Sequence, residues 1–179
     1  MAIARNVPNE RAEKVELLPG LLLWREVTAY ADDYKGFDVA VHVVLDDGRL
    51  TAYEVKVKQR PGGPAVTGEA LRQVKVAAFV RNSIAANSTL PEREPGETYT
   101  VAAFGLLEPS DVARMREAGP VTETLEWVAK VYTLALATGD QPTKAVRNVF
   151  EIAQSTAGQW VKRARDKRLL GPAEPGKAG

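Results

Sequence analysis

Residues 141–168 read QPTKAVRNVFEIAQSTAGQWVKRARDKR. Pro142 suits the first turn of a helix, where its missing N–H is of little consequence. Val146 and Phe150 then fall on one side of that helix, and Ile152 follows them. Ser155 or Thr156 can cap a further helix that runs to about Arg168. Ala157 and Trp160 lie on its inner side. These five apolar positions have the spacing of two short helices packed across a tight turn. Trp160 at this spacing reads as the anchor of a small core rather than a base-stacking side chain.

Upstream, Leu125, Val128, Ala129, Tyr132 and Leu136 recur at helical spacing, and Gly139 can end that helix in a left-handed position. Downstream, the tail GPAEPGKAG is expected to be disordered. The chain carries a formal net charge of only +1, yet the charge is unevenly spread. Gln141–Leu170 holds seven basic residues, with Glu151 and Asp166 its only acids. A local excess of cations suits a polyanion, because phosphate contacts release condensed counterions.

The segment from Gln141 to Pro172 resembles helix-turn-helix segments of uncharacterised actinobacterial and actinophage proteins. The resemblance rests on a Pro-Thr-x-Ala-Val start, Ser-Thr-Ala-x-x-Trp-Val, a basic Ala-Arg run and Leu-Leu-Gly. It implies DNA binding. Arg147 stands where such segments usually carry alanine, and Glu151 where the turn usually carries glycine. A non-glycine residue resists positive φ, which leaves two alternatives, a distorted turn or a partly degenerate motif.

If the last helix enters a major groove, Gln154, Ser155, Thr156, Gln159 and Lys162 form its leading surface. Glutamine can contact adenine in two places, and Ser or Thr can meet a base or a phosphate. Arg163, Arg165, Lys167 and Arg168 follow as backbone contacts, which position without specifying sequence. The expected protein is therefore a sequence-specific double-stranded DNA-binding protein. A transcriptional regulator or repressor, phage- or prophage-linked, is the most concrete role. Such modules generally bind paired half-sites as homodimers.

The preceding region reads as β-rich. Two short apolar runs in Glu16–Thr28 are broken by Pro19-Gly20. Phe37, Val39, Val41, Val43 and Leu45 alternate, as do Tyr53, Val55 and Val57, so a hairpin is expected. Pairing Val41 with Val55 and Val43 with Tyr53 puts both sets on one face and leaves a three-residue loop, Asp47-Gly48-Arg49. Arg60–Pro64 reads as a loop. Thr67 can cap a helix, or two, reaching Ile84, with Leu71, Val74 and Ala78 inward. Pro91–Gly96 is a polar turn, Thr98–Leu107 a further strand, and Ser110 or Asp111 the start of a short helix. The fold class is thus α+β: a small antiparallel sheet with helices over 1–119, a three-helix domain over 120–170, and a tail over 171–179. The first domain is expected to dimerise, bind a ligand or dock another protein.

Asp38 with Glu54-Val55-Lys56 resembles the Asp…Glu-x-Lys set of restriction-endonuclease-like nucleases in these three residues alone. Such chemistry needs two carboxylates on Mg²⁺ and a lysine near the attacking water. The same residues form the polar side of an amphipathic hairpin, with His42 opposite Glu54 and Asp38 opposite Lys58, and that is the expected role. Another alternative is an adaptor whose basic helix docks an acidic protein partner. Absence of cysteine removes thiolate metal sites, and one histidine removes any site needing two. No enzyme, cofactor or metal is expected. No apolar run approaches the roughly 20 residues that span a bilayer, and the first residues lack an apolar signal core, so a cytoplasmic location is expected.

Overall fold

The computed structural model of the chain describes residues 5–9, 11–18, 21–89 and 107–171. The fold is α+β, and residue contacts divide it into two units, Met1–Leu90 and Pro91–Gly179. The first contains β1 (Arg5–Pro8), β2 (Lys14–Leu18), β3 (Leu21–Trp24), β4 (Glu26–Tyr34), β5 (Phe37–Asp46), β6 (Arg49–Gln59), α1 (Gly68–Arg72), α2 (Val76–Asn87) and β7 (Ser88–Thr89). Strands β1-β4-β5-β6 form an antiparallel sheet, and β2-β3-β7 form a separate three-stranded one.

The alternation in β5 does what period two requires: Phe37, Val39, Val41, Val43 and Leu45 are all buried. Val41 pairs with Val55 and His42 with Glu54, as the sequence indicates. Nearer the turn the register departs from expectation. Val43 faces Ala52 rather than Tyr53, because a bulge intervenes. The loop then shortens to Asp47-Gly48, with φ of 46° and 71°, the two-residue turn whose twist matches the strands. Tyr53, expected inward, is instead 81% exposed and stands edge-on to His42 at 6.2 Å between ring centroids.

Helix α2 packs on β1, β4, β5 and β6 and buries Phe79 and Ile84 completely. Thr67 caps α1 as expected, accepting a hydrogen bond from the Ala70 N–H at 3.2 Å. The helical stretch breaks in two at Gln73–Lys75. There the Tyr34 hydroxyl donates to the Gln73 carbonyl at 2.9 Å. Val74 is buried, but Leu71, expected inward, is exposed, since the five-residue α1 buries nothing.

The second unit contains α3 (Pro109–Ala118), α4 (Thr122–Ala137), α5 (Pro142–Phe150) and α6 (Gln154–Asp166). Pro109 opens α3 just ahead of the expected Ser110 or Asp111. Helix α3 packs on α4 and α5 and adds Val112 and Met115 to their core, so the division lies before it, not at Gly119-Pro120. That core also holds Leu125, Val128, Tyr132, Val146, Phe150 and Trp160. Leu136, expected inward, lies on the exposed side of α4. The expected Pro91–Gly96 turn, the Thr98–Leu107 strand except Leu107, and the tail beyond Gly171 lie outside the described residues.

Candidate functional site

Helices α5 and α6 meet at a tight corner. Glu151 ends α5 with φ 52° and ψ 43°, in the left-handed region. The Ile152 N–H donates to the Arg147 carbonyl at 3.2 Å, closing a Schellman end. The same device ends α4 at Gly139 and α6 at Arg168, whose φ values are 74° and 60°. The corner is therefore not distorted by the missing glycine: Glu151 takes the conformation a glycine would. Its carboxylate accepts a hydrogen bond from Arg116 Nη1 at 2.7 Å.

Aromatic packing holds the inner side of the corner. The Phe150 and Trp160 rings lie 5.6 Å apart and edge-on. Val146 and Ala157 are fully buried beside them, and Trp160 is 5% exposed. The spacing read from the sequence thus corresponds to one contiguous core, and Trp160 belongs to it. Ile152 packs partly buried against its edge.

At 100° per residue, the buried set Ala157, Trp160, Val161 and Ala164 fixes one side of α6. The opposite side carries Ser155, Gln159, Lys162 and Asp166, flanked by Gln154, Gly158 and Arg163, all exposed. Among the described residues Lys144, Lys162 and Arg163 have no ion-pair partner. Helix α6 starts at Gln154 with Ala153 as its N-cap, so Ser155 and Thr156 occupy the first turn instead of capping it. Ala153 offers no side-chain acceptor, so the first turn of α6 has no side-chain cap. Thr156 is half-buried toward the Trp160 side.

Two of the nine residues named from sequence turn elsewhere. Arg165 is half-buried: its Nη2 donates to the Tyr132 hydroxyl at 2.7 Å, and its guanidinium lies 5.0 Å from that ring's centroid. Lys167 Nζ donates to Thr122 Oγ1 at 2.9 Å, at the start of α4. Both cations brace α6 against α4. Sequence reasoning placed them by charge alone, whereas their contacts with Tyr132 and Thr122 turn both toward α4. It also passed over Gly158, which lies among Gln154, Ser155 and Lys162.

In the first unit, Asp38 and Glu54 sit on the same face of the hairpin but on distant rungs. Asp38 pairs across with Lys58 and lies 3.7 Å from Arg60 Nη1. Glu54 pairs across with His42, and its Oε2 is 3.1 Å from Lys56 Nζ. Four residues along a strand separate these rungs by about 13 Å, while carboxylates sharing a cation each sit about 2.0–2.6 Å from it. Among the described residues no three His, Cys, Asp or Glu side chains are grouped to hold a metal ion. His42 is engaged by its neighbours, with Nδ1 3.2 Å from Thr28 Oγ1 and Nε2 3.7 Å from Glu26 Oε2. No described helix is long and apolar enough to cross a membrane. Comparison with family models, curated protein sequences and solved structures finds no match to this chain.

Proposed function

We propose that α5 and α6 form a helix-turn-helix and that the protein binds double-stranded DNA sequence-specifically as a regulator of transcription. The observation that carries this reading is the corner itself. Glu151 in a left-handed conformation and the Phe150–Trp160 contact pack α5 against one side of α6, and the other side of α6 is left exposed. An α-helix fits the B-DNA major groove, and the exposed side offers Gln154 and Gln159 to adenine edges and Ser155 to a base or phosphate. Lys162 and Arg163 supply phosphate contacts, and Lys144 adds a cation on α5. Paired modules reading two half-sites make the active species a homodimer.

Selection from random-sequence duplex DNA, with affinities remeasured over a salt series, tests the reading. The expected result is enrichment of a common sequence whose affinity falls steeply as salt rises. Retention of no duplex at low salt overturns it.

A further inference from the structure

Gly158 lies in the middle of α6 on its exposed side, and nothing in the fold explains a glycine there. A Cβ built at this position meets no atom within 4 Å. Its backbone is ordinary helix, so no left-handed conformation calls for glycine. Glycine in a helix interior is disfavoured against alanine, because it loses more backbone freedom on folding. The fold therefore carries a destabilising residue where alanine would fit without a clash. Around it, one helical turn away on the same surface, stand Gln154, Ser155 and Lys162, with Gln159 adjacent in sequence.

We infer that Gly158 is a positioning residue for DNA: the missing side chain makes a notch that lets the α6 backbone approach the duplex closely, bringing its glutamines within reach of base edges. Glycine is the residue that permits such close approach of backbone to a ligand. This rests on the DNA-binding reading above and adds to it which position sets the depth of the helix in the groove. A side chain at 158 holds the helix away and weakens every contact made by its neighbours at once. Its removal from the surface stabilises nothing in the free protein, so binding and stability move in opposite directions on substitution.

The test compares the unaltered protein with Gly158→Ala and Gly158→Leu, both good helix formers, by thermal unfolding and by affinity for the duplexes recovered from random-sequence selection. Gly158→Ala is expected to raise Tm by about 4–8 °C and to weaken binding measurably. Gly158→Leu is expected to weaken binding about tenfold or more, as overpacking at a close contact does. If the unaltered protein binds DNA and Gly158→Leu binds within about twofold of it, the notch is overturned while the DNA reading stands. A fall in Tm for both variants also overturns it, by assigning the glycine to the fold. Failure of the unaltered protein to bind any duplex ends the DNA reading and this inference together.

Discussion

Arg116 Nη1 donates to Glu151 Oε2 at 2.7 Å, so α3 holds the side chain of the residue on which the chain reverses between α5 and α6. The pair is exposed, with 40% and 72% of the two side chains open to solvent, and such pairs are worth about 0–1 kcal/mol. The left-handed backbone of a non-glycine residue costs about 1–2 kcal/mol. The backbone cost is the larger, so the ion pair offsets only part of it.

Replacing Glu151 separates them. Glu151→Gly relieves the backbone while losing the ion pair, and Tm is expected to hold or rise by a few degrees, at about 4–8 °C per kcal/mol for a small domain. Glu151→Val adds a β-branched side chain where φ is positive and is expected to destabilise by about 1–3 kcal/mol. Thermal melts of the two variants check the order.

The basic run of α6 divides by direction, and the division is measurable. Lys162→Ala with Arg163→Ala is expected to leave Tm almost unchanged, weaken binding to all duplexes and reduce the slope of log affinity against log salt by about two. Arg165→Ala removes the guanidinium from over the Tyr132 ring and is expected to lower stability by about 1 kcal/mol. Its affinity for DNA, measured well below Tm, is expected to change little.

Much of this was legible because α5, α6 and β5 obey simple periods. Val146, Phe150, Ala157 and Trp160 are buried as spacing requires, and Val41 faces Val55 as alternation requires. What was not legible depends on a partner far away in sequence or on a single inserted residue. The bulge beside Tyr53 costs no hydrophobic pattern in β5, so nothing in β5 announces it. Arg165 reads as one more surface cation until Tyr132, 33 positions earlier, is brought beneath it. Glu151 looked like an obstacle to the turn because the cost of its backbone could be read locally, while its tie to Arg116 could not. Gly158 was overlooked because an exposed glycine has no contact to notice.

Trp160 packs against Phe150 in the second unit's core. Large aromatic-to-alanine changes in a core cost about 3–5 kcal/mol, so Trp160→Ala is expected to unfold α5 and α6 at or near room temperature. Far-UV circular dichroism should show loss of helix, with the sheet of the first unit retained. Trp160→Phe keeps most of the packing and is expected to remain folded with a lower Tm.

Acid should loosen α3 from α4. Arg114 grips Glu123 with two hydrogen bonds, Nη1 to Oε2 at 3.0 Å and Nη2 to Oε1 at 2.9 Å. These bonds hold the Glu123 carboxyl below the usual carboxylate range, and they raise the Arg114 guanidinium further above neutrality. A carboxylate depressed in the folded state stabilises at pH above its unfolded value, and that contribution disappears as pH falls through the folded value. The Tm difference between the unaltered protein and Glu123→Gln is therefore expected at neutral pH and absent in strong acid. Both side chains are exposed, so added salt should shrink the difference.

The proposed contact between α6 and DNA can be tested residue by residue. Amide chemical shifts of the isotopically labelled full chain, followed as a selected duplex is added, should move most at Gln154–Arg163, together with the side-chain amides of Gln154 and Gln159. Shifts confined to the first unit, or an unperturbed α6 in a saturated complex, would contradict the account.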